Sequence, residues 1–150
     1  MHDRSPGRHT PVAQFNLGVC YKEGAGVRQD DTEAVKWCRL AAEGGNAKAQ
    51  ISLGWMHEHG KGGLKQDTVE SARWFALAAA QNHPVAQSTL GMMYDQGKGV
   101  AQDDAKAVEL YTLAAEQGDA FAHSTLGEMH YEGRGGLQQD FSQAAMWWKR

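Results

Sequence analysis

A Leu-Gly dipeptide recurs at Leu17-Gly18, Leu53-Gly54, Leu90-Gly91 and Leu126-Gly127, in steps of 36, 37 and 36 residues. An aspartate keeps pace with it, at Asp30, Asp67, Asp103 and Asp140. Seven residues after each aspartate stand Trp37, Trp74, Leu110 and Trp147. A period of this length constrains the fold strongly. Each copy must be one supersecondary unit that buries its apolar face against its neighbours. The units run 11–46, 47–83, 84–119 and 120–150, the last incomplete. They predict a single solenoid domain over 11–150, behind a flexible polar leader of residues 1–10.

Each unit predicts two helices. In PVAQFNLGVCYKEG, the residues Ala13, Leu17, Cys20 and Tyr21 fall on one helical face. The second unit places Ala49, Leu53, Met56 and His57 there, the third Ala86, Leu90, Met93 and Tyr94, and the fourth Ala122, Leu126, Met129 and His130. The second helix shows the same periodicity at Ala34, Trp37, Cys38, Ala41 and Ala42. A Gly-x-Gly between the helices, at Gly24-Ala25-Gly26 in the first unit, stops the first helix, because glycine takes positive φ at little cost. Units two and four carry one extra glycine, Gly63 and Gly136.

The aspartate then caps the second helix. Asp30 with Glu33, Asp67 with Glu70 and Asp140 with Gln143 read as capping boxes, while Asp103 faces Lys106 and keeps only the cap. The glycine of each Leu-Gly pair lies inside a helix, where it costs about 1 kcal/mol against alanine. Gly18, Gly54, Gly91 and Gly127 therefore predict a second helix packed closely over the first. Leu40, Leu77 and Leu113 share one place on the second helix and are expected at the core edge.

The pattern A-x-A-Q-x-x-L-G-x-x-Y-x-x-G-x-G-V-x-x-D…A-x-x-W-x-x-A-A-x-x-G resembles the Sel-one-like repeat, a relative of the tetratricopeptide repeat. Unit one supplies it from Ala13 and Gln14 through Leu17, Gly18, Tyr21, Gly24, Gly26, Val27 and Asp30 to Ala34, Trp37, Ala41, Ala42 and Gly44. Unit three matches nearly as fully. The resemblance covers about 11–150. It implies an all-α, right-handed α/α superhelix acting as a protein-interaction scaffold, in a family especially numerous in bacteria. One exported, cysteine-rich branch has been linked to β-lactam binding. Here only unit one holds two cysteines, which disfavours that branch. Units two and four put His57 and His130 where tyrosine is usual, and unit four stops at Trp147-Trp148-Lys149-Arg150.

Composition narrows the function classes. The net charge is −3, without the clustered Lys and Arg of a nucleic-acid footprint. No apolar run approaches the ~18 residues of a membrane span. MHDRSPGRHT has no apolar h-region, so the chain as given predicts a cytoplasmic protein, and a periplasmic or secreted one if it is part of an exported protein. Cys20 and Cys38 read as two buried thiols, with a disulfide as the alternative.

No catalytic constellation or cofactor motif is present, so the chain predicts no enzyme and no cofactor. His57 and His59, with His130, are the best metal candidates. The preferred reading assigns none: His57 and His130 replace a packing tyrosine, with a ring nitrogen bonded to a neighbour.

One feature points to a partner. On a wheel of ~100° per residue with Ala13 at the origin, Phe15 and Val19 fall near ~200° and ~240°, away from the core. Adding their counterparts, a face that should be polar reads Phe15, Val19, Ile51, Trp55 and Met92, flanked by Asn16, Ser52 and Thr89. Exposed apolar stripes mark interaction sites. The resemblance places first helices on the concave side, so these eight residues are expected to hold a protein or peptide segment. Two alternatives remain: a self-associating fragment joined through Trp147 and Trp148 at an open C-terminal end, and a β-lactam-binding or hydrolysing enzyme on analogy alone.

Overall fold

The computed structural model describes residues 10–150; the expected leader lies outside them except for Thr10. Among the described residues the chain forms eight α-helices: α1 (Pro11–Glu23), α2 (Asp31–Glu43), α3 (Ala47–His59), α4 (Thr68–Ala80), α5 (Pro84–Gln96), α6 (Asp104–Glu116), α7 (Ala120–Glu132) and α8 (Phe141–Trp148). They fall into two compact units, one ending at Ala78 and the other Ala79–Arg150.

In the first unit α2 packs on both α1 and α3. Its core joins Cys38, Ala41 and Ala42 of α2 to Ala49 and Leu53 of α3 and Trp74 of α4. In the second unit α6 packs on α5 and α7, and α7 on α8. There Tyr111, Leu126, Met129 and Trp147 form the bulk of the core. Burying a side chain such as Leu53 contributes about 1.5–3 kcal/mol.

The first helices end as the sequence requires. Gly24, Gly60, Gly97 and Gly133 close α1, α3, α5 and α7 in the left-handed conformation, at φ between 63° and 70°. Second helices begin on the expected aspartates: the side chains of Asp30, Asp67, Asp103 and Asp140 accept from backbone N–H groups of the first turn, each worth about 1 kcal/mol.

The reciprocal half of the capping box does not form. The N–H of Asp30 donates instead to the carbonyl of Tyr21 at 2.9 Å, and Asp67, Asp103 and Asp140 donate likewise to His57, Tyr94 and His130. With that donor occupied, Glu33 accepts from the Trp37 indole and Glu70 pairs with Arg73.

The close approach over the helix glycines is present in all four copies. A methyl group on Gly54 would lie 3.0 Å from the Phe75 ring, and one on Gly91 3.0 Å from the Tyr111 ring. At Gly127 the space belongs to Trp148, and at Gly18 the neighbours are the Ala34 carbonyl at 3.2 Å and the Cys38 amide at 3.3 Å.

Three expectations need correcting. Leu40, Leu77 and Leu113 are exposed rather than at a core edge. Trp147 is buried in the second core, so only Trp148 of that pair is open to solvent. The two rings are successive residues on one helix, about 100° apart, which lets one face the core while the other faces outward. Lastly, both ring nitrogens of buried His57 and Nδ1 of His130 lack a hydrogen-bond partner among the described residues.

Candidate functional site

A cavity of about 290 Å³ opens in the first unit. From α1 come Phe15, Gly18, Val19 and Lys22, and from α3 come Ile51, Ser52, Trp55 and Met56. Buried Ala34 and Cys38 of α2 form its floor. Trp55 stands at the rim, 45% exposed. Its ring lies 4.5 Å from the His59 ring, and His59 Nδ1 is 3.0 Å from the Trp55 carbonyl oxygen.

The hollow has a sequence cause. The residue that lies over the helix glycine is Phe75 in the second repeat, Tyr111 in the third and Trp148 in the fourth. In the first repeat that place is Cys38. A thiol leaves unfilled the volume that a ring occupies elsewhere, and it lets the α2 backbone itself touch Gly18.

The floor is chemically quiet. Burial pushes the Cys38 thiol up to about 11, against the opposing pull of Lys22 and Arg39. Its Sγ donates to the Ala49 carbonyl at 3.4 Å. The thiolate is the nucleophilic form, so this thiol is inert near neutrality. Both cysteines are free; Cys38 is buried as expected, whereas Cys20 is only half-buried. No group of three His, Cys, Asp or Glu side chains among the described residues is placed to hold a metal ion.

Five of the eight stripe residues, Phe15, Val19, Ile51, Ser52 and Trp55, come together around this cavity. Asn16 is exposed on α1 beside it and does not line it. Thr89 and Met92 belong to the second unit, where Thr89 is half-buried and Met92 packs against the core. The helical wheel missed Lys22, Ala34, Cys38 and Met56. The available signal was the small side chain at 38 against Phe75, Tyr111 and Trp148 in the aligned repeats.

The Sel1 repeat matches residues 11–46, 47–83, 84–119 and 120–150. The chain belongs to the Sel1 repeat family. Proteins built from Sel1 repeats typically mediate protein–protein interaction.

Two solved structures align over 97% of the chain. One is c5321, a protective antigen of uropathogenic Escherichia coli with an SLR fold, at 35% identity and TM-score 0.89. The other is a Sel1 repeat protein from Oxalobacter formigenes, at 33% identity and TM-score 0.90. The chain spans 31% and 59% of those proteins respectively.

A curated relative, the chitin synthase regulator SKT5 of Saccharomyces cerevisiae, is 43% identical over 53 residues, which is 34% of this chain and 8% of that protein. The cysteine-rich protein B of Helicobacter pylori, at 23% identity and TM-score 0.64, shares the fold. The fold class is the all-α helical-repeat solenoid. No helix among the described residues is long and apolar enough to cross a membrane.

Proposed function

We propose that the chain is a non-enzymatic scaffold, one domain of four repeats, whose α1–α3 cavity receives an apolar side chain from a protein segment. The carrying observation is the hollow above Cys38, apolar-walled and rimmed by half-exposed Trp55. A rim tryptophan beside an apolar pocket has the character of an interface hot spot. Lys22 stands at the same rim as an exposed cation. The favoured segment therefore carries a carboxylate next to its apolar anchor, and the regulator role printed for the yeast relative is compatible with such binding.

Selection of short random peptides on the wild-type chain tests this reading. Enriched peptides should pair an apolar residue with Asp or Glu. Trp55→Glu should weaken them by about tenfold or more, and Lys22→Glu should remove the acidic preference, with circular dichroism unchanged in both. Binders indifferent to both substitutions would overturn the proposal.

A further inference from the structure

The cavity beside Cys38 owes its volume to one inner position of the first repeat, and the second and third repeats show what that position is shaped to hold. Phe75 and Tyr111 stand there, each with its ring against the helix glycine, and only 2% and 1% exposed. The glycine and the residue over it thus frame a slot of ring size. Gly18 lines the cavity in the first repeat, but the side chain at 38 brings no ring to it. The volume of about 290 Å³ is sufficient for one: an apolar cavity of about 150 Å³ already takes up benzene.

The lining favours a ring over an aliphatic chain of similar volume. Trp55 at the rim is braced: the His59 ring lies 4.5 Å from it at 30°, and His59 Nδ1 is 3.0 Å from the Trp55 carbonyl oxygen. A braced ring loses little freedom when a second ring packs on it, and aromatic pairs gain more than their buried area alone gives. Phe15 is a second ring in the wall, half-buried. Met56 is the adaptable part, since an unbranched thioether repacks around the shape that enters. The Cys38 thiol already donates to the Ala49 carbonyl, so the floor asks for no hydrogen bond. Lys22 is exposed at the same rim, and the charge complement of an ammonium is a carboxylate.

We infer that the side chain this cavity receives is the phenyl ring of a phenylalanine in a partner protein, set beside an acidic residue, and that it supplies from outside the ring that the first repeat lacks. The inference rests on the scaffold reading, in which a protein segment enters the cavity, and narrows it from any apolar anchor to an aromatic one. The ring packs between Trp55 and Phe15, and the neighbouring carboxylate meets Lys22. Specificity then comes from the rim and wall rings, because an aliphatic anchor buries similar area without the ring-on-ring contact.

Two blocked peptides, acetyl-Gly-Phe-Glu-Gly-amide and acetyl-Gly-Leu-Glu-Gly-amide, test it by NMR titration of the isotope-labelled full chain up to about 10 mM, a range suited to short unstructured ligands. The phenylalanine peptide should bind about three- to tenfold more tightly, shifting the Trp55 indole and the backbone amides of Ala34 and Cys38. Trp55→Leu keeps an apolar side chain but removes the ring, and should bring the ratio of the two affinities to about one. Cys38→Phe fills the slot from within and should abolish both interactions. Equal affinity of the two peptides for wild type, with both lost in Cys38→Phe, would overturn the aromatic preference and leave the cavity reading standing. Failure of both peptides to bind, or equal binding to wild type and Cys38→Phe, would overturn both. A ratio that survives Trp55→Leu would remove the ring contact on which the inference stands. Free phenylpropionate that binds more tightly than the phenylalanine peptide would overturn the protein source in favour of a small aromatic acid.

Discussion

The first unit lays a cysteine over one helix glycine and a phenylalanine over the other, where the second lays a tyrosine and then a tryptophan. At Gly91 and Gly127 the rings of Tyr111 and Trp148 fill the angle between helices. At Gly18 the α2 backbone closes in, and about 290 Å³ is left beside Cys38. One side-chain position thus separates a filled repeat from a hollow one. A repeat acquires a cavity here by omitting a packing group.

The sharpest way to break this contrast is to empty the filled unit. Tyr111→Cys should open a cavity under Gly91 and cost about 3–5 kcal/mol, the range for deleting a buried aromatic. Urea unfolding should register the loss, and a change under about 1 kcal/mol would mean that the ring is dispensable. Next in size, Gly91→Val drives branched carbon into the fully buried Tyr111 ring, which has nowhere to move. It should cost about 3 kcal/mol, near the upper end for overpacking, and thermal melts would show it.

Alkaline stability should report on Cys38 itself. Burial pushes its folded-state thiol up to about 11, above the ordinary 9.0. Between those values the unfolded chain gives up its proton while the folded chain keeps it. Stability is therefore undiminished below about pH 9 and falls as pH rises toward 11, by about 2–3 kcal/mol at most. Cys38→Ala should lessen that slope, leaving the part that buried Tyr111, also pushed up by burial, adds above about pH 10, and a slope of equal steepness in the variant would refute the assignment.

The smallest effect on stability should come from filling the hollow. Cys38→Phe places a ring where Phe75 and Tyr111 already have one, so unfolding free energy should stay within about 1.5 kcal/mol of wild type. Peptides selected on the wild-type cavity should lose their hold on this variant. Retained binding would move the site away from the cavity.

Much of the architecture was legible because it is repeated. Four Leu-Gly pairs in register pointed to close helix approach, and the structure supplies the neighbour at each one. The candidate site was half legible. A wheel treats one helix at a time, so it found the outward residues of α1 and α3 but not the α2 floor beneath them. It also grouped Met92 with Trp55, although Met92 packs on the core of the second unit. Capping boxes were misread for a related reason: local spacing names the donor and acceptor types, and only the fold shows that the Asp30 N–H is already bonded to Tyr21. Tandem Trp147-Trp148 read as one exposed pair, and only the fold shows Trp147 turned into the core.

That Asp-to-carbonyl bond has a bearing on how such arrays change length. It joins residues nine apart in the first and third repeats, Tyr21 to Asp30 and Tyr94 to Asp103, and ten apart in the second and fourth, His57 to Asp67 and His130 to Asp140. The segment between the two anchors can gain a residue while both ends stay fastened, as Gly63 and Gly136 illustrate. Insertions can accumulate there without disturbing the spacing of the helices. For anyone grafting a recognition loop onto this chain, the stretch just before the capping aspartate is the permissive point of splice.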